Sequence, residues 1–202
     1  MHGRLPWPAP GELDEARRAV YDAIAGGPRA AVPQAFRLTD AHGRLEGPFN
    51  AMLVSPGVGM ALQELGAAVR YRTALTDRER EVAVLAVAAL RRSDFEWYAH
   101  ERVGRRAGLT EEELSALLAG DEPGTLSSTE SALLRATRAL ATHGDLDDEA
   151  FSAAETALGR ERLAELVVLV GYYDLLALSL RVWRTPLPEG EAPPFPRQPS
   201  AR

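Results

Sequence analysis

From about residue 11 to residue 183, apolar residues recur at intervals of three and four, interrupted by short polar joints. That spacing puts side chains on one face of an α-helix. GELDEARRAVYDAIAGG sets Leu13, Ala16, Val20 and Ile24 at helical intervals and closes on glycine, which predicts a first helix from Gly11. Pro28 to Pro48 has no period and reads as an ordered loop. In GPFNAMLVSPGVGMALQELGAAVRYR, Pro56 separates a short apolar helix from a longer one. Thr76 followed by Glu79 has the capping-box pattern and opens TDREREVAVLAVAALRR, whose interior from Val82 to Leu90 is apolar nearly all round, as a central buried helix requires.

Ser93 followed by Glu96 repeats the capping pattern for SDFEWYAHERVGRRAG, with Gly108 as the stop. Thr110 with Glu111, Glu112 and Glu113 starts a short helix, Gly120 to Gly124 is a linker, and Ser127 with Glu130 opens a helix ending at His143 and Gly144. A short helix over Asp147–Leu158 and a long one over Arg160–Trp183 complete the pattern. The apolar stretch of the last, ELVVLVGYYDLLALSLRVW, falls just short of a bilayer span. With Glu161, Arg162, Glu165 and Asp174 on it, it reads as a core helix continuing into a subunit interface. No βαβ alternation, Gly-rich phosphate loop or period-2 run is present, so the expectation is an all-α protein. One domain covers residues 11–183, preceded by an extended Pro-rich segment over 1–10. The Pro-rich tail 184–202 is expected to be disordered or to lie across a neighbouring subunit.

Composition narrows the chemistry. A formal net charge of −6 disfavours general affinity for nucleic acid or anionic membranes. MHGRLPWPAPG lacks the apolar core of a signal peptide, and the expected location is cytoplasmic. The chain contains neither Cys nor Lys. That removes thiol redox cycling, thiolate nucleophiles, cysteine-held metals and lysine Schiff-base chemistry.

Within these limits one cluster carries acid/base potential. Glu96 and His100 stand four residues apart on one predicted helix, where a carboxylate beside an imidazole can raise its pKa and set its tautomer. If the helices opening at Thr76 and Ser93 pack antiparallel through the joint Arg91–Ser93, Glu81 arrives about two turns from that joint, near His100. The spacing leaves other readings open. Glu96 is also where a capping-box partner of Ser93 would stand, His100 could be a structural histidine, and Glu81 could be one more charge of a salt-bridged first turn.

RTALTDREREVAVLAVAALRRSDFEWYAHERVGRRAGLTEEEL resembles the core motif of the carboxymuconolactone decarboxylase superfamily, which includes the alkylhydroperoxidase and peroxidase-related branches. GPFNAMLVSPGVGMALQELGAAVRYR resembles the segment preceding that core, and ELVVLVGYYDLLALSLRVW the closing helix. The resemblance implies an alkylhydroperoxidase-like helical bundle with antiparallel core helices. In the peroxidase branch a C-x-x-C pair precedes the histidine; here Ser93 and Glu96 fall at those places, so peroxide reduction by the thiol route is excluded. The decarboxylase-like branch has a glutamate four residues before the histidine, as in EWYAH. By that resemblance Glu96 and His100 become proton donor and acceptor with Glu81 supporting them, and no cofactor or metal is needed.

The implied activity is a decarboxylation, or a related lyase, isomerase or cyclase step, on a small carboxylated lactone or organic acid. The alternative is a non-catalytic helical protein that retains the fold for binding or assembly. Phe49, Asn50 and Met52 are expected at the cavity, Trp97 either there or, as suits an aromatic at helical spacing, in the core, and Arg72, Arg105 or Arg106 could clasp a substrate carboxylate. Tyr172 and Tyr173 could lend a hydroxyl but suit the core better. The resemblance also implies a homo-oligomer, a trimer or hexamer. His42 and His143 receive no role.

Overall fold

A computed structural model describes residues 2–27 and 35–196. Among these residues the protein is helical, with no strand beyond two isolated bridges. The helices are α1 (Glu15–Ala25), α2 (Pro48–Met52), α3 (Pro56–Tyr71), α4 (Asp77–Arg91), α5 (Asp94–Arg106), α6 (Glu111–Ala119), α7 (Ser128–His143) and α8 (Asp148–Trp183). The first helix starts later than its apolar spacing suggests. Pro10–Glu12 forms a 3-10 turn, and Asp14 caps α1 by accepting from the Arg17 N–H.

At the centre lies α4, whose residues from Val82 to Ala88 are all buried. It packs against α5, α6, α7 and α8. The capping box expected at Thr76/Glu79 forms, and two more are found at Thr110/Glu113 and Ser127/Glu130. The one expected at Ser93/Glu96 does not: Ser93 makes no side-chain cap bond. A capping box needs the N-cap backbone N–H free to meet the N3 carboxylate. The Ser93 N–H is already donated to the Ala88 carbonyl at 2.9 Å, closing the end of α4 around left-handed Arg92. Glu96 is thereby released from capping.

This tight joint folds α5 back along α4. Ser93 meets Ala88, His100 meets Glu81 and Arg78 donates to the Gly108 carbonyl, the pairing of an antiparallel hairpin. The two terminal helices expected around Leu158 and Arg160 join as α8, broken in direction at Gly159 (φ 76°). By length and composition α8 could cross a membrane, a longer apolar element than the sequence pattern suggests. Half of its most apolar stretch is nevertheless buried inside the protein, where Leu166, Leu169, Val170, Tyr173 and Leu176 enter the core.

The first and last described segments pack on the bundle. Arg4 donates its backbone N–H to the Trp183 carbonyl at 2.7 Å, and Trp7 donates its indole N–H to the Leu45 carbonyl at 2.7 Å. The Pro-rich tail, expected to be disordered or laid on a neighbour, lies as far as residue 196 on its own α5; residues 197–202 fall outside the described residues. Phe195 is buried edge-on against Trp97, 5.9 Å between ring centres, and Glu191 accepts two hydrogen bonds from Arg102. An aromatic anchor with flanking charge pairs supplies the burial that proline composition alone does not reveal. The loop expected over Pro28–Pro48 is described from residue 35, where Asp40 accepts from the His42 and Arg44 N–H groups and shapes a turn bridged by Thr39 and Leu45. Its earlier part, 28–34, lies outside the described residues.

Candidate active site

The side chains of α5 at positions 96, 99, 100, 103 and 106 share one helical face, and all five line a cavity of about 170 Å³. The opposing walls come from Phe36 and Leu38 of the loop before α2, Phe49 of α2, Arg70 of α3, and Tyr172, Tyr173 and Leu176 of α8. Gly47 lets the loop pass close to α5: its φ is 61°, and a Cβ there would stand 2.3 Å from a ring carbon of Phe95.

Glu81, wholly buried on α4, joins two walls. One carboxylate oxygen is 2.7 Å from His100 Nδ1 and the other accepts from the Arg70 guanidinium at 3.2 Å. Burial pushes the Glu81 pKa up, but His100, Arg70 and Arg80 together outweigh it and hold the carboxyl below its ordinary range. An ionised carboxylate only accepts hydrogen bonds, so His100 Nδ1 carries the hydrogen. In the neutral ring Nε2 keeps its lone pair. Tyr173 stands edge-on to the imidazole, 4.9 Å between centres, and burial raises the pKa of its phenol, which keeps it neutral.

Glu96 occupies the opposite electrostatic situation. It is 3% exposed and neither carboxyl oxygen has a hydrogen-bond partner. Burial dominates and pushes its pKa up to about 8; the nearby Ser93 hydroxyl opposes this weakly without a bond of good geometry, and Asp174 adds to the rise. The site therefore holds two carboxyls in opposite states, ionised at Glu81 and protonated at Glu96, around one imidazole. Divergent carboxyl pKa values of this kind suit separate acid and base roles. The expected direct Glu96–His100 pair is replaced by Glu81–His100, with Glu96 one turn away on the same wall. The three do not converge as metal ligands, and no cluster of three metal-binding side chains occurs among the described residues.

Of the further residues expected at the cavity, Phe49 is there. Asn50 is not: it donates to the Pro6 carbonyl at 2.9 Å and holds the N-terminal arm. Met52, one turn beyond Phe49 on α2, turns into the core and borders a separate small depression between α2, α3 and α8. Trp97, next to Glu96, is rotated by one helical step into the core against Phe195. Arg72 is exposed at the end of α3, and Arg105 is paired with Glu101 and Glu111 at the surface.

The arginines that do line the cavity are Arg106, one residue on from Arg105, and Arg70, which sequence reasoning missed. Arg70 carries no local signal; the 3.6-residue period that places Gly66 and Arg70 on one face was the only available hint. Tyr172 and Tyr173 line the cavity as well as the core.

Residues 56–139 match the family model for the carboxymuconolactone decarboxylase family. Among solved structures, the chain is similar to the AhpD core of an uncharacterized peroxidase-related protein from Ralstonia eutropha, with 14% identity over 94% of each chain and a TM-score of 0.75. It is also similar to an Agrobacterium tumefaciens protein of unknown function considered a candidate antioxidant-defence AhpD. There the identity is 20% over 71% of this chain and 99% of the other, with a TM-score of 0.64. A variant of the debrominase Bmp8, in complex with 2,3,4-tribromopyrrole, shares 11% identity over 87% of each chain at a TM-score of 0.66. At these identities the likeness is one of fold. No curated protein matches significantly in sequence.

The buried acid has a thermodynamic signature. Because folding raises the Glu96 pKa from its ordinary 4.5 to about 8, the folded state holds a proton that the unfolded chain releases between those values. This contribution to stability is full below about 4.5 and is lost as pH rises to about 8. His2, lowered by burial to about 4, has the opposite slope, but only below about 6.5. Denaturant melts should therefore show stability falling between pH 6.5 and 8, by on the order of 1–2 kcal/mol. The Glu96→Gln variant should lose that slope; an unchanged slope would mean Glu96 is ionised in the fold.

Proposed function

We propose that the chain is a member of the carboxymuconolactone decarboxylase superfamily, whose family model matches its residues 56–139, and that it is an acid/base enzyme that moves a proton on a small cyclic carbonyl compound. The observation that carries this reading is the pairing, in one cavity wall, of a buried carboxyl without a protein partner and an imidazole anchored through its other nitrogen. Glu96 offers its O–H to a substrate carbonyl while His100 Nε2 takes a proton from, or returns one to, the carbon conjugated with it. Glu81, held by Arg70, orients the ring and stabilises the imidazolium that forms. The apolar walls strengthen both interactions by excluding water.

The same apparatus supports the finer reading of a carboxy-lyase acting on a carboxylated lactone or related organic acid. As carbon dioxide leaves, its bonding electron pair moves onto the conjugated carbonyl, whose oxygen is met by Glu96. The carbon is then protonated by the His100 imidazolium, which is recharged from solvent. Arg106, exposed at one end of the cavity, is the cation suited to a substrate carboxylate. Without cysteine, peroxide reduction by a thiol has no nucleophile here. The alternative of a non-catalytic binding or assembly protein expects an occluded or apolar cavity around His100. Arg70, Glu81 and Glu96 around the ring favour the enzyme.

Self-association belongs to the same proposal. Val167, Val168, Leu175, Leu178 and Val182 form an exposed apolar stripe along α8. Covering it with a second copy would remove it from water.

Two experiments test these points. In deuterated water the protein should accelerate hydrogen exchange beside the carbonyl in a panel of cyclic ketones and lactones, followed by NMR. His100→Ala and Glu96→Gln should each lower the rate by about a hundredfold to ten-thousandfold, and the double variant by little more than either. Independent, multiplying losses would contradict a paired mechanism. Light scattering should give a trimer or hexamer, reduced to smaller species by Leu178→Asp, whereas a wild-type monomer at micromolar concentration would contradict assembly through α8.

A further inference from the structure

The unpartnered carboxyl of Glu96 says more about the ligand than that it contains a carbonyl. A protonated carboxyl has two adjacent hydrogen-bonding edges, an O–H that donates and a C=O that accepts. Here both oxygens are buried and neither is satisfied by the protein. Leaving such atoms unpaired is costly, so a ligand satisfying both at once gains more than one satisfying the donor alone. The neighbouring charges are already committed. On α3 and α4, Arg70 pairs with Glu81; on α5, His100 is bound to Glu81; on α8, Asp174 pairs with Arg91 of α4. Tyr173 of α8 is held neutral. No cation among these is left to receive an anionic group beside Glu96, and Asp174 disfavours one.

Size sets the second limit. A cavity of about 170 Å³ with Phe36, Phe49, Phe95, Tyr172 and Leu176 in its walls compares with the roughly 150 Å³ apolar cavity that accepts benzene. One small ring fits between these walls.

We propose that the substrate is a single small ring whose edge carries a hydrogen-bond donor beside a carbonyl, as in a cyclic amide or imide, and that this edge docks on Glu96. The docked pair is a closed ring of two hydrogen bonds, with the Glu96 O–H donating to the ligand carbonyl and the ligand N–H donating to the Glu96 carbonyl oxygen. His100 stands one helical turn along the same wall, roughly 6 Å away, and so faces the ring's other atoms. The proposal rests on the cavity being the active site and narrows its substrate from cyclic carbonyl compounds to those with this double edge. The uncharged edge seats at Glu96; any carboxylate on the ring belongs at the Arg106 end.

Calorimetric titration of the full chain with 2-pyridone, N-methyl-2-pyridone and benzoate tests the proposal directly. At about pH 6.5, 2-pyridone should bind at least about tenfold more tightly than its N-methyl derivative, which keeps the carbonyl but lacks the donor; tenfold corresponds to about 1.4 kcal/mol. Benzoate should be the weakest of the three. Raising the pH through about 8 ionises Glu96 and should weaken 2-pyridone binding more than tenfold by about pH 9.5.

Glu96→Gln provides the control, since its amide also offers adjacent donor and acceptor but does not titrate. It should retain 2-pyridone binding and lose the pH dependence, whereas Glu96→Leu should lose the preference for 2-pyridone. Equal binding of the two pyridones, absence of 2-pyridone binding, tighter binding of benzoate, or a pH dependence that survives Glu96→Gln would each overturn the inference. Any of these together with intact hydrogen exchange on cyclic ketones would leave the acid/base reading standing. Loss of that exchange with the binding pattern intact would remove the catalytic reading instead.

Discussion

The site depends on one buried charge. Glu81 has no contact with solvent, and its ionised form persists because Arg70 reaches it from α3 and His100 from α5. Removing a partner from a buried ion pair costs about 3–5 kcal/mol, so this three-residue chain locks together three helices as well as a tautomer. Central helix α4 is apolar from Val82 to Leu90, beyond Glu81, and Glu81 is the side chain by which it acts on the cavity. With its Nδ1 hydrogen directed at Glu81, the His100 ring has one orientation and one free nitrogen.

Glu96 is the counterpart to that arrangement. One turn before His100 on the same helix, it lacks any cation and is consequently protonated near neutral pH. The contrast arises from backbone bonding at the α4–α5 joint. Because Ser93 spends its N–H on the Ala88 carbonyl, the carboxyl that would otherwise cap α5 stands in the cavity wall. A local choice between two hydrogen bonds thus separates a structural carboxylate from a chemically available acid.

Much of this was legible in the residue pattern. Thr76/Glu79, Thr110/Glu113 and Ser127/Glu130 announced three helix starts, and the apolar run from Val82 identified the central helix. The four-residue spacing of Glu96 and His100, with Glu81 two turns before a tight joint, was enough to bring all three to one region. Partner choice was not legible, since it depends on which face of α4 meets α5 and on an arginine from α3. Arg106 rather than Arg105 is likewise a matter of helical phase, which a one-residue error inverts. Asn50 and Met52 were misplaced, and Trp97 took its core alternative: Asn50 is claimed by the N-terminal arm, Met52 turns into the core, and Trp97 packs on the tail residue Phe195. The Asn50 and Trp97 contacts span long sequence separations, and periodicity carries no information about them.

The central claim is that Glu81 fixes the His100 tautomer and leaves Nε2 as the free base. Nitrogen-15 NMR of histidine-labelled protein, with His100 assigned by its substitution, measures this directly. In the neutral ring the account predicts a protonated, pyrrole-type Nδ1 and an unprotonated, pyridine-type Nε2, with this preference lost in Glu81→Leu. A neutral His100 carrying its hydrogen on Nε2 in the wild-type protein would contradict it.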